Sequence, residues 1–174
     1  VLGGGAAGLS AALYSTRAML KTIVLENLGV GGQLLITDEI ENYPGFPEGE
    51  TGQQLATNMQ QQAERFGAEI DFSTIEGVSD FDKETKIIHT DDGDLHAKAV
   101  IIATGGSHKT LGIPGEDALS GKGVSYCAVC DGNFFKGQDV MVIGGGDAAM
   151  DESNYLTGIV NSVTVVHRRD ELRA

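Results

Sequence analysis

Apolar and polar positions along the chain alternate with clear periods, and these predict a series of short α/β units. Leu9, Ala12, Leu13 and Thr16 recur at helical spacing, so residues 9–20 are expected to form a helix with one apolar face. Residues 22–25 are a short apolar run ending at Glu26 and predict a strand. Residues 29–34 lack a period and read as a loop, and Asn42-Tyr43-Pro44-Gly45-Phe46-Pro47 reads as a chain of turns. A second helix is predicted over residues 51–66: Thr51 and Gln54 fit a capping box, Leu55, Met59, Ala63 and Phe66 form one stripe, and Gly67 supplies a stop.

Residues 69–100 read as short strands, with Asp91-Asp92-Gly93 as the hairpin turn. Residues 100–103 predict a buried strand that breaks at Thr104-Gly105-Gly106. Pro114 and several glycines in residues 107–123 suggest a linker between domains. A strand over residues 140–143, a helix over 147–156 and a strand over 163–166 complete the pattern.

The pattern repeats. Shifted by 141 residues, Val1-Leu2-Gly3-Gly4-Gly5 falls on Val142-Ile143-Gly144-Gly145-Gly146, Ala7 on Ala148 and Gly8 on Ala149. The strand ending at Leu25 then falls on the one ending at Val166 without a gap. Each copy places G-x-G-x-x-(G/A) between a strand and a helix, the order required of a dinucleotide-binding unit. Glycines there permit a tight turn and close approach of the backbone to a pyrophosphate, which the free N–H groups of the helix start attract. Two such copies predict two dinucleotide domains. Only Val1 and Leu2 precede the first cluster, and the second copy stops soon after one β-α-β, so both domains are expected to be incomplete and the chain to be part of a larger protein.

Composition narrows the functions. The chain has 174 residues, 25 of them glycine, and a formal net charge of −13. That charge disfavours nucleic acid and anionic membranes as partners. The acid is dispersed, with a mild concentration over residues 80–94, and reads as solvated surface. No apolar run approaches the roughly 20 residues a membrane helix needs.

Cys127-Ala128-Val129-Cys130 holds the only two cysteines and lies between the two fingerprints. A disulfide closing so short a loop removes little chain entropy, so a purely structural role is disfavoured. Zinc needs about four ligands, and neither a second cysteine pair nor finger-spaced histidines among His89, His96, His108 and His167 supply them. A redox-active pair in a reducing compartment is the better reading, with zinc kept as the alternative.

The two copies differ where a ribose would lie. The first has Glu26, a carboxylate suited to ribose hydroxyls, as in FAD or NAD. The second has His167, Arg168, Arg169 and Arg173, in a chain with only 12 Lys plus Arg, and suits the 2′-phosphate of NADP.

Taken together, Gly3 to Gly8, Gly31-Gly32-Gln33-Leu34, Asn42-Tyr43-Pro44-Gly45, Ala103-Thr104-Gly105, Cys127 to Gly132, Gly144 to Ala149, His167-Arg168-Arg169-Asp170 and Arg173-Ala174 closely resemble the low-molecular-weight thioredoxin reductases over the whole chain. Ala6, where proline is frequent, and Val129, where threonine is frequent, depart from the family pattern but leave the motif spacing intact. The resemblance implies an α/β fold with two Rossmann-like domains, an FAD domain with a small β-meander and an NADPH domain inserted in it. Residues 1–108 would be the first part of the former and 109–174 the first part of the latter. It also implies a cytoplasmic homodimer that reduces thioredoxin.

By motif, Gly3, Gly5, Ala6, Ala7, Gly8, Glu26, Gly32, Gln33, Leu34, Asn42 and Thr104 would contact FAD, with Val78 and Gly105 as further candidates. Gly146, Asp147 and Ala148 would lie by the NADPH pyrophosphate, and His167, Arg168, Arg169 and Arg173 by its 2′-phosphate. Cys130 would be the thiol nearer the flavin, Cys127 the one that attacks thioredoxin, and Asp131 the acid and base. The alternatives are a relative serving another disulfide partner or electron donor and, for these residues alone, a nucleotide-binding piece without turnover.

Overall fold

The first glycine cluster runs straight into helix α1 (Ala6–Arg17), so the helix starts earlier than its apolar period suggests. The computed structural model describes residues 1–174 and has a mixed α/β architecture. It divides into two units, Val1–Ser107 and His108–Ala174.

In the first unit α1 buries Leu9, Ala12 and Thr16, the face its spacing predicts. It ends at Arg17 rather than Leu20, because Ala18 caps it and Met19 adopts φ 65°. Strand β1 (Ile23–Leu25) follows and pairs in parallel with β2 (Glu69–Asp71). Leu2 forms parallel bridges to Leu25 and to Ile102, so the neighbour order is Ile102, Leu2, β1, β2. Val24 and Leu9 are fully buried, each contributing about 1.5–3 kcal/mol of apolar transfer.

Residues 100–103 do not form the buried strand expected of them. Ile102 makes a single bridge, and Ile101 and Ile102 are 42% and 66% exposed. An apolar run becomes a buried strand only when neighbours cover both faces, and here only Leu2 pairs with it.

Helix α2 (Gly52–Arg65) has Thr51 as its N-cap, accepting the Gln54 N–H at 3.1 Å. The capping box is one-sided, since the Gln54 amide reaches forward to Asn58 instead. Leu55 and Ala63 are buried as the stripe predicts, but Ala56 replaces Phe66, whose ring lies partly exposed beside the Arg17 and Arg65 guanidinium groups. The loop expected at residues 29–34 tightens into a 3-10 turn at Gly32–Ile36. Strands β3 (Ile75–Ser79), β4 (Lys86–Thr90) and β5 (Gly93–Ala97) form an antiparallel meander, with Asp91-Asp92 turning the hairpin.

The second unit contains one full β-α-β. Strand β6 (Asp139–Ile143) pairs in parallel with β7 (Ser162–Val166), and α4 (Asp147–Leu156) connects them. The one-turn helix α3 (Ala128–Asp131) seats Ala128 in a core with Leu156 and Val160. The shift that aligns the glycine clusters also aligns α1 with α4 and β1 with the end of β7.

Candidate functional site

In the first unit, backbone segments converge on the start of α1. A Cβ on Gly8 would overlap the Gly3 carbonyl oxygen, and one on Gly3 would overlap the Ala103 carbonyl and lie 3.1 Å from the Thr104 Cα. The Gly31 N–H donates to the Gly4 carbonyl at 2.9 Å, bringing Gly32 against Gly5. The Gln33 amide donates to the Gly106 carbonyl at 3.2 Å. Gly3, Gly5, Ala6, Ala7, Gly8, Gly32, Gln33, Thr104 and Gly105 are thus gathered by neighbouring backbone. Leu34 belongs to the 3-10 turn, its carbonyl against Gly52. Asn42 is exposed in the turn-rich segment, outside this cluster, and Val78 packs in the core with Leu2 and Leu25.

The start of α1 is chemically open. No side chain caps it, and its first turn carries no acid. Its first internal bond is from the Leu9 N–H to Gly5 O, which leaves the N–H groups of Ala6, Ala7 and Gly8 free to meet an anion.

Glu26 stands at the end of β1. Its Oε2 accepts the Gly4 N–H at 2.8 Å, and its Oε1 accepts those of Asn27 and Leu28 at 2.9 and 3.2 Å. Partial burial pushes this carboxyl up, but the backbone donors outweigh it and hold the group below its usual range. The carboxylate is therefore kept ionised beside the fingerprint, with acceptor capacity left for a ribose hydroxyl.

In the second unit α4 also lacks a side-chain cap. The His167 ring lies directly over Gly145, where any Cβ would fall on it, and its Nε2 is buried without a partner. The Arg173 N–H donates to the Gly145 carbonyl at 2.6 Å, folding the terminal segment back over the glycine turn. Arg168 and Arg169 are exposed, and Arg169 and Arg173 line an open groove with Asp170, Glu171 and Leu172. Gly146, Asp147, Ala148, His167 and Arg173 therefore surround one turn. A buried orphan nitrogen and an uncapped helix start suit a dinucleotide's polar groups.

Cys127 and Cys130 are joined as a disulfide, with Cα atoms 5.3 Å apart. Cys127 is the N-cap of α3, and its Sγ accepts the Cys130 N–H at 3.2 Å. Asp131 closes the same turn, its Oδ2 accepting from the Ser125 hydroxyl at 2.5 Å. Cys130 is the more exposed of the two sulfur residues.

Two anchors of this turn escaped the sequence reading. Glu116 is only 5% exposed and accepts the N–H groups of Leu111 and Gly112 at 2.8 and 2.7 Å. It also accepts the Tyr126 hydroxyl at 2.8 Å. The Leu111 N–H is the main cause holding Glu116 below its usual range; burial opposes it, and Tyr126 and Gly112 assist. The hydrogen bond to Glu116 pushes the Tyr126 phenol up, with burial and the charges of Glu116 and Asp117 in support. The His108 ring stacks on Tyr126 with centroids 3.5 Å apart. Ser125 is the other anchor. Its signal was a hydroxyl two residues before the first cysteine, and that of Glu116 was an acid just after Pro114-Gly115.

A full β-α-β in one unit and a helix–strand pair preceded by the Leu2 bridge in the other, each with an open glycine-turn helix start, together with a Cys-x-x-Cys disulfide turn, define a class of dinucleotide-linked disulfide proteins. The family model for pyridine nucleotide-disulphide oxidoreductases matches residues 1–174, and the chain belongs to that family. The chain is 53% identical to a thioredoxin reductase of Streptomyces coelicolor, over 100% of its own length and 54% of that protein. It is 49% identical to one of Bacillus subtilis, over 100% of its length and 54% of that protein. The crystal structure of thioredoxin reductase from Streptococcus pyogenes matches with a TM-score of 0.90 at 46% identity, covering 99% of this chain and 56% of that one. The chain spans about half the length of the curated relatives it matches. No helix is long and apolar enough to cross a membrane.

Proposed function

We propose that the full-length protein carries electrons from NADPH through FAD to the Cys127–Cys130 disulfide, and from there to thioredoxin. The observation that carries this reading is the disulfide-bonded pair beside Asp131 in a chain with two open dinucleotide turns. Residues 1–108 are the first part of the FAD domain in this reading, and 109–174 the first part of the NADPH domain. Gly3, Gly5, Ala6, Ala7, Gly8, Glu26, Gly32, Gln33, Leu34, Asn42 and Thr104 hold FAD, with Val78 and Gly105 in support. Gly146, Asp147, Ala148, His167, Arg168, Arg169 and Arg173 hold NADPH. The flavin, when bound, supplies the conversion of a hydride into an electron pair for a disulfide. The protein acts as a cytoplasmic homodimer.

The chain's own residues complete the exchange. The Cys127 thiolate attacks the partner disulfide, forming a mixed disulfide and releasing one partner sulfur with its electron pair. The Cys130 thiol passes its proton to Asp131 and attacks the Cys127 sulfur. The internal disulfide forms again, and the second partner sulfur leaves with the electrons and regains a proton. Two electrons have then moved from the chain's dithiol to its partner.

The visible spectrum of the full-length protein tests the route. Flavin bands are expected to bleach with NADPH and recover on adding oxidised thioredoxin. Unchanged thioredoxin reduction by Cys130→Ser would defeat the proposed path.

A further inference from the structure

We infer that Ser125 is a positioning residue for proton transfer at the dithiol. It acts through Asp131, and the inference rests on the acid–base role proposed above for that residue. The Ser125 hydroxyl has one proton and two acceptor sites. Its shortest donor contact is to Asp131 Oδ2 at 2.5 Å, while it accepts the Cys127 N–H at 3.1 Å. A donor contact to the Cys127 carbonyl is longer, at 3.3 Å. Ser125 thereby connects the first cysteine's backbone to the carboxylate that follows the second cysteine.

The link has chemical consequences because α3 is a single turn and its regular hydrogen bonding is sparse. The Asp131 N–H donates to the Cys127 carbonyl at 3.1 Å, which fixes the Asp131 backbone but not its carboxyl. Among side chains only Ser125 bonds that carboxyl. Without it, no side chain holds the half-buried carboxylate, which spends less time oriented to take the Cys130 proton. Tyr126, the next residue, is held by Glu116, so Ser125 is presented from a fixed backbone. Cys130 must lose its proton to close on Cys127, and the electron pair left on its sulfur forms the new S–S bond. The partner sulfur leaves with the pair from the broken bond. A fixed Asp131 carboxylate receives the Cys130 proton in that step.

The test uses the full-length protein with its dithiol chemically reduced and the reductant removed. The probe is an aromatic nitrobenzoate disulfide that releases one coloured thiol on attack by Cys127 and a second when Cys130 resolves the mixed disulfide. The second phase is followed against pH in Ser125→Ala, Ser125→Thr, Asp131→Asn and the Ser125→Ala/Asp131→Asn pair. Ser125→Ala is expected to slow that phase about tenfold, the scale of one lost charge-assisted hydrogen bond, and to move its pH profile. Ser125→Thr is expected to restore both. Asp131→Asn is expected to slow the phase, and adding Ser125→Ala to it to cause no further loss. An unchanged profile in Ser125→Ala, or losses that simply multiply in the pair, overturns the inference and leaves the role of Asp131 standing. An unaffected second phase in Asp131→Asn overturns that role and this inference together.

Discussion

Tyr126 and Glu116, ten residues apart, are joined by a 2.8 Å hydrogen bond in which the phenol donates to a nearly buried carboxylate. The same carboxylate gathers the N–H groups of Leu111 and Gly112. One acidic side chain thus organises the loop before it and the residue that leads into the dithiol.

The sign of its pH effect follows from the folded carboxyl lying below its usual range. Its stabilisation is present above the unfolded carboxyl's pKa and is lost as pH falls through the lower folded value. Acid melts of the full-length protein are expected to show a smaller loss of Tm with falling pH in Glu116→Gln than in wild type. At neutral pH Glu116→Gln is expected to be the less stable of the two. Tyr126→Phe keeps the carboxylate and its backbone donors, so it is expected to destabilise less than Glu116→Gln. Parallel acid profiles for Glu116→Gln and wild type would contradict the assignment.

The fingerprints show what sequence reveals well. Gly8 is legible as a glycine because its constraint is local, set by the Gly3 carbonyl a few residues away. The 147–156 helix is legible for the same reason, since its glycine turn and period are contiguous. Residues 100–103 failed because apolarity specifies a buried strand only if neighbours cover it, and Ile102 has one bridge partner. Phe66 failed because helical phase alone does not record the two arginines beside its ring. At the dithiol, the cysteine spacing was readable as a bonded pair. Glu116 and Ser125 were not legible, because their importance is a matter of which distant groups their oxygens meet.

Gly8→Ala is expected to damage the first unit sharply. Its new methyl would overlap a backbone oxygen that cannot move without shifting the Gly3 turn. The measurement is flavin content per chain together with Tm, and both are expected to fall. The equivalent position in the second unit already carries Ala149. Ala149→Gly is expected to cost about 1 kcal/mol or less, the ordinary helix-interior penalty of glycine, and to leave flavin content unchanged. Full flavin content in Gly8→Ala would mean that the close approach is not required.

Arg168 and Arg169 are exposed, so their removal is expected to leave folding intact. Under the proposed nucleotide assignment, Arg168→Ala/Arg169→Ala removes charge-assisted bonds to a 2′-phosphate. Each such bond is worth about 1.5–3 kcal/mol, so KM for NADPH is expected to rise about tenfold or more. NADH has no 2′-phosphate, and its KM is expected to change little. Equal losses with the two nucleotides would place the arginines elsewhere in the reaction.

The two sulfur atoms are chemically unequal although they share one disulfide. Cys127 Sγ accepts the Cys130 N–H at 3.2 Å, and the same donor can stabilise a thiolate at Cys127 once the bond is reduced. Exposure alone would favour Cys130 as the attacking residue, since it is the more open of the two. The nucleophile in thiol–disulfide exchange is the thiolate, so under the proposed order of attack the hydrogen-bond donor favours Cys127. Cys130→Ser is therefore expected to accumulate a mixed disulfide with oxidised thioredoxin, seen as a reductant-sensitive band of summed mass. Cys127→Ser is expected to form little of it under the same conditions. A trap that forms through Cys130 in Cys127→Ser, and not through Cys127 in Cys130→Ser, would reverse the order of attack.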